Sequence, residues 1–280
     1  MTKHKVGILH PGQMGISVAA SIQNSGHTVY WASEGRSRAT HERAAKFGLS
    51  DTGTLAALCE TCTVIVSVCP PHVAEEIAEQ VLGRAFRGLY LDANAISPQR
   101  AMRIEQAMQN AGVTFVDGGI IGGPAWEAGK TRLYLSGKAA ENVAACFSGG
   151  ALQALVIGES VGKACALKMC YAAYTKGTTA LLCGVLAAAE EVGVREELEQ
   201  EWSRDEVGFA EEARERVRRV TARAWRFEGE MAEIADTFRE AGLPGGFHAA
   251  AGEIYHRLAE FKDAAASPSL EEVLATLHGS

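Results

Sequence analysis

The most hydrophobic stretch of the chain, 161–192, lacks a charge-free run long enough to cross a bilayer. Lys163, Lys168 and Lys176 interrupt it, and its longest uninterrupted piece, 177–189, falls short of the roughly 20 residues a membrane helix needs. No membrane partner is expected. Basic residues are scarce too: 27 Lys and Arg stand against 34 Asp and Glu, a net charge of −7. Without a basic stripe to offset phosphate repulsion, general nucleic-acid binding is not expected either. The start, MTKHKVGILH, has no apolar core or small-residue cleavage site, which predicts a cytoplasmic protein. Seven cysteines, an odd number scattered through apolar segments, suit reduced thiols and not a disulfide framework. Cys59 and Cys62 form a CxxC with no second pair and no nearby His pair, so no metal site is expected.

What is present is the composition of a globular protein, 47% hydrophobic and 22% charged over 280 residues, enough for two domains. Segment 6–9 is a short apolar run followed by HPGQMG, then a helical pattern in Ile16, Ala19, Ala20 and Gln23 that stops at Gly26, then a second short strand at 28–31. Strand, glycine turn, helix and strand within about 30 residues make the unit that binds dinucleotides. Gly12 falls where backbone approaches a pyrophosphate, and Gly15 where helix and strand pack closely, with the phosphates at the helix N-terminus. His10 stands where the first glycine of GxGxxG belongs. It fits if its φ stays below zero; otherwise the turn is strained.

The end of the second strand selects the cofactor. An NAD-preferring site places an acid there for the ribose 2′-hydroxyl, whereas this segment reads ASEGRSR. Ser33, Arg36 and Ser37 suit a 2′-phosphate, the guanidinium fork donating two parallel hydrogen bonds, so NADP(H) is the expected cofactor. The alternative is that Arg36 and Arg38 merely open the next helix in solvent, and Glu34 is an awkward neighbour for a phosphate.

The alternation continues with strands at 63–68, 89–92 and 114–117, helices at 71–83 and 98–111, and closing strands at 131–136 and 154–157 around a helix at 139–147. Loops at the carboxyl ends of parallel strands bind ligands in such sheets. Cys69 and Pro70, Asn94, and the glycines after Asp117 therefore belong to one rim. Asp117 is expected to cap the glycine turn. A long helix over 161–192 follows, read as buried, with Lys168, Tyr171, Ala172 and Thr175 on one face. Beyond it only helices are expected, at 196–204, 206–219, 222–241, 247–261 and 270–278. The reading is α/β: an N-terminal doubly wound Rossmann domain, 1–158, then an all-α domain, 159–280, begun by a long interdomain helix. So apolar a helix needs more cover than one chain offers, which predicts a homodimer. Trp225, Phe227 and Met231 are expected in core or dimer contacts.

The motifs, in order, resemble the β-hydroxyacid dehydrogenase superfamily, which includes 3-hydroxyisobutyrate and 6-phosphogluconate dehydrogenases and, more distantly, imine reductases. HPGQMG is similar to its GxGxMG, DANAISP to DxSTxxP, DGGIIGG to DAPVSGG, GKACALK to GxGxxxK, and Phe261-Lys262-Asp263 to a late KD pair. The helical half further resembles a poorly characterised phosphogluconate-dehydrogenase-like branch. The resemblance implies Lys168 as general acid/base, with Asn94 beside it in the catalytic set. It implies cofactor contacts from Gly12, Gln13, Met14, Gly15, Cys69, Pro70, Asn94 and Lys262, and substrate contacts from Gly119, Ile121, Gly122 and Gly123. Burial of Lys168 would lower its pKa toward neutrality, where proton transfer is most efficient. Three positions depart from the pattern. Ile121 replaces the substrate-binding serine, Ala172 replaces the asparagine one turn after the lysine, and Asn94-Ala95 replaces Ser-Thr. Either the substrate is less polar, or Asn94, Tyr171, Tyr174 and His248 hold it instead. Three functions stay open: an NADPH-dependent dehydrogenase or reductase on a small hydroxy or oxo compound, an imine reductase, and a non-catalytic NADP-binding redox sensor.

Overall fold

The β-branched run at 63–68 demands burial on both faces, and the computed structural model of the protein supplies it. The structure describes residues 3–279. Successive strand side chains point to opposite faces. Val64 and Val66 enter one core with Val6, Ile8, Val29, Leu91 and Val116. Ile65 enters a second core with Tyr90, Phe115 and Met108 on the other face.

In chain order the elements are β1 (Lys5–Ile8), α1 (Gln13–Asn24), β2 (Thr28–Trp31), α2 (Arg38–Lys46), β3 (Ser50–Asp51), α3 (Leu55–Thr61), β4 (Val64–Ser67) and α4 (Ala74–Leu82). Then come β5 (Leu89–Asp92), α5 (Pro98–Asn110), β6 (Thr114–Ile121), β7 (Arg132–Ser136), α6 (Ala140–Ala144) and β8 (Gln153–Gly158). The eight strands form one sheet in the order β3-β2-β1-β4-β5-β6-β7-β8. All neighbours are parallel except β6 and β7. This is the doubly wound Rossmann arrangement, with its strand order reversing between β1 and β4. The two-residue β3 went unseen in the sequence, being too short for an alternation.

One expectation is corrected at β6. Gly118 to Ile121 are not a loop; they extend the strand and pair antiparallel with β7, Gly119 opposite Tyr134. The glycines answer a close approach: a Cβ on Gly118 would lie 2.9 Å from Asp92 O, and one on Gly119 2.5 Å from Ala164 O.

The remaining elements are α7 (Lys163–Glu191), α8 (Arg195–Asp205), α9 (Phe209–Glu240), α10 (Gly246–Arg257) and α11 (Leu270–His278). The chain divides into two compact units, Met1–Met169 and Cys170–Ser280. The division falls inside α7 and not in the 158–162 loop, because a continuous helix carries no mark of where its packing partners change. The helices expected at 206–219 and 222–241 are one, since no Gly or Pro interrupts 219–222 and the Thr221 hydroxyl bonds back to Arg218 O at 2.7 Å. Met231, Ile234, Tyr255 and Leu274 are fully buried in the helical unit. Trp225 is exposed, and Phe227 packs edge-on against Tyr255. No described helix is long and apolar enough to cross a membrane.

The sheet's interior carries an unusual polar row. Ser67, Asp92, Asp117 and Ser136 are register partners across β4, β5, β6 and β7, and all are fully buried. Asp117 Oδ2 accepts hydrogen bonds from Ser136 Oγ (2.8 Å) and from the backbone N–H groups of Gly162 (2.9 Å), Ala164 (3.0 Å) and Cys165 (3.2 Å). Its Oδ1 accepts from the Cys165 thiol at 2.7 Å. It thus caps the first turn of α7, correcting the expectation that it caps the glycine turn. A carboxylate is favoured there, since the first-turn N–H groups lack partners in the helix and form the positive end of its dipole.

Asp92 behaves differently. Burial pushes its carboxyl up from 3.8 to about 7, assisted by the neighbouring Asp117 charge and opposed by two hydrogen bonds from Asn94 and by Arg100. The folded protein therefore holds a proton that the unfolded chain releases above about 4. The group's contribution to stability must fall as pH rises from about 4 to about 7 and then level off. Urea unfolding of the wild type and Asp92→Asn across this range should show the wild type losing stability relative to the variant as pH rises. Parallel curves would contradict the assignment.

Candidate active site

After β1 the backbone reverses through Leu9 to Gly12. The Gly12 N–H donates to His10 O at 2.8 Å and the Ile16 N–H to Gly12 O at 2.9 Å. A Cβ on Gly15 would lie 2.0 Å from His10 O, so the helix touches the turn and only glycine fits. Gly12 faces open space, with no atom within 4 Å of a Cβ placed there, and no side chain caps the first turn of α1. Helix N–H groups opening on a bare glycine suit a pyrophosphate. Gln13 is exposed beside this opening, and Met14 packs onto the sheet core. His10 keeps φ out of the positive range, so the turn is unstrained.

At the end of β2 the three expected phosphate ligands separate into different situations. Ser37 is the N-cap of α2: its hydroxyl accepts from the Thr40 N–H at 3.4 Å and lies 3.1 Å from Thr40 Oγ1. Ser33 is engaged by Asp51, whose carboxyl partial burial pushes up, while the Gly53 N–H and the hydroxyl and N–H of Ser33 outweigh that and hold it below its ordinary range. Arg36 is half-buried, and its Nε has no hydrogen-bond partner. Burial pushes its pKa down. Arg38, by contrast, pairs with Glu42 at 2.7 Å on the surface. Burial and then the Arg36 charge push the His10 imidazole down from 6.5 to about 4, and its Nδ1 is buried without a partner.

The rim formed by β4 and β5 is built around Asn94. Its Nδ2 donates to Ser67 Oγ (3.1 Å) and Asp92 Oδ2 (2.9 Å), its N–H to Asp92 Oδ1 (3.0 Å), and its Oδ1 accepts from the Cys69 N–H (2.6 Å). The buried amide therefore holds the Cys69–Pro70 loop in place, and neither amide hydrogen is left for a substrate. In the structure Asn94 therefore acts as a positioning residue for that loop. Cys69 is a protonated thiol, pushed up to about 12 by burial and by Asp92, and Pro70 is exposed. The Cys59 and Cys62 thiols, at the far end of α3, are likewise pushed up by burial, to about 11 and about 12.

Next along the sheet, Gly119 presses against the first turns of α7, with 3.0 Å between its missing Cβ and Lys168 Cβ. The Asp117 cap and the Gly119 contact together fix where Lys168 leaves the helix. Lys168 is half-buried, not fully buried as the sequence implied. Ile121 is buried, while Gly122 and Gly123 are exposed. Gly122 has φ of +122°, and a Cβ there would meet Lys130 O at 2.6 Å, which makes glycine obligatory.

The other expected substrate contacts lie in the helical unit. Ala172 is buried, whereas Tyr171 is half-exposed and Tyr174 is 73% exposed. The expected buried helix thus shows an apolar stripe, with Tyr171, Tyr174 and Leu181 exposed on one face. His248 is buried between Phe238 (4.3 Å) and Phe247 (5.1 Å), its Nδ1 without a partner, and burial pushes its pKa down. Lys262 stands over the Trp225 ring at 4.4 Å. Lys176 forms a buried ion pair with Glu230 and is a structural cation of this unit.

Sequence reasoning missed Asp51, which ends the unseen two-residue strand β3, and Arg43, whose Nη1 donates to Pro11 O at 3.1 Å and braces the glycine turn. Neither carries a local motif; both are brought in by parallel pairing and helix packing.

The site belongs to a recognisable lineage. Residues 5–156 match the NAD binding domain of 6-phosphogluconate dehydrogenase, and residues 189–258 match a domain of unknown function (DUF1932). An uncharacterized 28.5 kDa protein from Methanothermus fervidus is 31% identical over 165 residues, 59% of this chain and 63% of that relative, so the match spans less than two thirds of the relative's length. A solved conserved protein of unknown function, described as structurally similar to 3-hydroxyacid dehydrogenases, is 30% identical with a TM-score of 0.69, over 91% of this chain and 97% of that one. The fold is also that of Mycobacterium tuberculosis 3-hydroxyisobutyrate dehydrogenase, at 17% identity and a TM-score of 0.69, covering 99% and 100% of the two chains. An imine reductase from Myxococcus stipitatus in complex with NAD+ shares it more loosely, at 20% identity and a TM-score of 0.57, each chain covered to 99%. With residues 5–156, more than half the sequence, matching that dinucleotide-binding family and a solved 3-hydroxyacid-dehydrogenase-like protein 30% identical over nearly the whole chain, the chain belongs to the β-hydroxyacid dehydrogenase superfamily.

Proposed function

We propose that the protein is an NADPH-dependent oxidoreductase of a small hydroxy or oxo compound, with Lys168 as its general acid/base. The observation that carries this reading is the Asp117 cap and bare Gly119 fixing Lys168 beside the carboxyl edge of the sheet. A bound nicotinamide supplies or receives the hydride. The residues present fit such a cofactor: open space at Gly12, an uncapped α1, and a desolvated Arg36 Nε without a partner. Arg36 favours the 2′-phosphate over the bare ribose, because a half-buried guanidinium gains most from a charged acceptor. Asn94 holds the Cys69–Pro70 loop against which the nicotinamide end would rest. Lys168 Nζ gives a proton to the substrate oxygen in reduction and takes it in oxidation.

A second reading is imine reduction in the same site, with the proton going to nitrogen. The observation favouring it is that Ile121 and Ala172, where the superfamily pattern has serine and asparagine, are both apolar and buried. A carboxylate substrate would find fewer partners there.

The test is a substrate screen over hydroxy acids, ketones and imines, run alongside fluorescence titration with NADPH and NADH. Lys168→Met should retain NADPH binding and lose turnover by about 10² to 10⁴-fold. Unchanged turnover would remove Lys168 from the mechanism. Tight NADPH binding with no turnover of any class would favour a redox-sensing module instead.

We also infer a homodimer through the seam on α7, whose exposed Tyr171, Tyr174 and Leu181, three and then seven residues apart, fall on one helix face as the positions of a heptad seam do. Sedimentation of the wild type should give a dimer and of Leu181→Glu a monomer. A monomeric wild type would contradict the inference.

A further inference from the structure

Two carboxylates stand side by side in the polar row, and their surroundings are unequal. Asp92 and Asp117 are register partners on the parallel strands β5 and β6, and both are fully buried. Neighbouring strands lie about 4.8 Å apart, so two buried like charges at such a pair push one group toward its neutral form. Asp117 collects five donors: the Ser136 hydroxyl, the Cys165 thiol and three N–H groups at the start of α7. Among the described residues Asp92 is hydrogen-bonded by Asn94 alone, whose N–H reaches Oδ1 (3.0 Å) and whose Nδ2 reaches Oδ2 (2.9 Å). The row therefore keeps its charge at Asp117 and its exchangeable proton at Asp92.

We propose that Asp92 is a positioning residue that works as a proton-operated latch: as a carboxylate it holds the Asn94 amide and, through it, the Cys69–Pro70 loop, and on taking a proton from solvent it lets both loosen. Both oxygens of Asp92 receive an N–H, and a hydrogen bond to an ionised oxygen is about twice as strong as one to a neutral acid. Those two bonds set the orientation of Asn94, whose Oδ1 must face the Cys69 N–H at 2.6 Å. Protonation therefore weakens both anchors of the amide at once. Burial, joined by the Asp117 charge, places the exchange near neutrality, at about 7. The other groups around the carboxyl do not take over the titration. Arg100 of α5 is the cation that bears on Asp92, and it is shared with Glu75 of α4 at 3.2 Å. The Tyr90 phenol on β5 is pushed up by burial and by Asp92, and the thiols of Cys69 after β4 and Cys59 on α3 are pushed up to about 12 and about 11. The Cys165 thiol of α7 is bound to Asp117. The consequence for the cofactor rests on the dinucleotide reading above. In that reading the loop meets the nicotinamide half, which NADPH and NADH share, so a tighter loop at higher pH favours both.

The test is amide hydrogen exchange of the cofactor-free protein at about pH 6 and about pH 8, comparing the wild type with Asp92→Asn. Normalised to the amides of β1, protection of the Cys69 N–H should rise about five- to tenfold with pH in the wild type and stay level in the variant. Asparagine carries no titrating proton, so lost packing alone would lower protection equally at both pH values. An equal pH ratio in the two proteins would overturn the latch. Where Asp92→Asn does not fold, the wild type decides: the Asn94 side-chain amide resonances should shift in one step across this range, and resonances that do not move would overturn the latch. Fluorescence titration then reads the consequence. From the lower to the higher pH, NADPH and NADH should each gain about five- to tenfold more affinity in the wild type than in the variant. Equal gains in the two proteins would overturn the link from loop to cofactor. Binding of neither cofactor would overturn the dinucleotide reading, and the exchange experiment would still decide on the latch.

Discussion

A single buried carboxylate ties the sheet to the start of α7, the helix that bears Lys168. Asp117, fully buried, would be costly in isolation, since an unpaired charge in a protein interior is strongly disfavoured. It is surrounded by donors: the Ser136 hydroxyl, three N–H groups at the start of α7, and the Cys165 thiol. Its position is set by strand pairing, opposite Asp92 on one side and Ser136 on the other. The helix is thus anchored end-on, and the missing side chain of Gly119 lets it close onto β6. Lys168, one turn further on, inherits that precision.

The same row serves the cofactor rim. Ser67 and Asp92 hold the Asn94 amide, which holds the Cys69 backbone. The loop that follows β4 and the helix that follows β8 are therefore positioned by adjacent residues of one register. At the other end of the site, contact replaces hydrogen bonding: the turn after β1 is fixed by the absence of a Cβ at Gly15. The His10 Nδ1 on that turn is buried without a partner.

Every strand but the two-residue β3, and the glycine turn, were clear in the sequence, because a short apolar run bounded by Gly and Pro fits little besides a buried strand. Segment 118–121 was misread, since glycine reads as a loop whether it marks a turn or a tight strand contact. Helix ends were misjudged wherever breakers were absent, as at 219–222. Asn94 was recognised as a site residue, but its role depends on Ser67, Asp92 and Cys69 converging, which spacing alone does not encode. Arg36 was legible and its isolation was not: whether a guanidinium has a partner is a tertiary fact. His10 stood out as a departure from the motif; that its φ stays out of the positive range and leaves the turn unstrained is visible only in the structure.

The anchoring role of Asp117 is tested most directly by native-state hydrogen exchange of the Ala164 and Cys165 amides in the wild type and in Asp117→Asn. The asparagine keeps the volume and replaces one acceptor by a donor that faces other donors. Exchange at both amides should accelerate by about 10 to 100-fold, as expected for loss of about 1.5 to 3 kcal/mol of charge-assisted hydrogen bonding, while amides in β1 and β2 change less. Equal protection of Ala164 and Cys165 in the two proteins would contradict the account, and the position of Lys168 would then have to come from another contact.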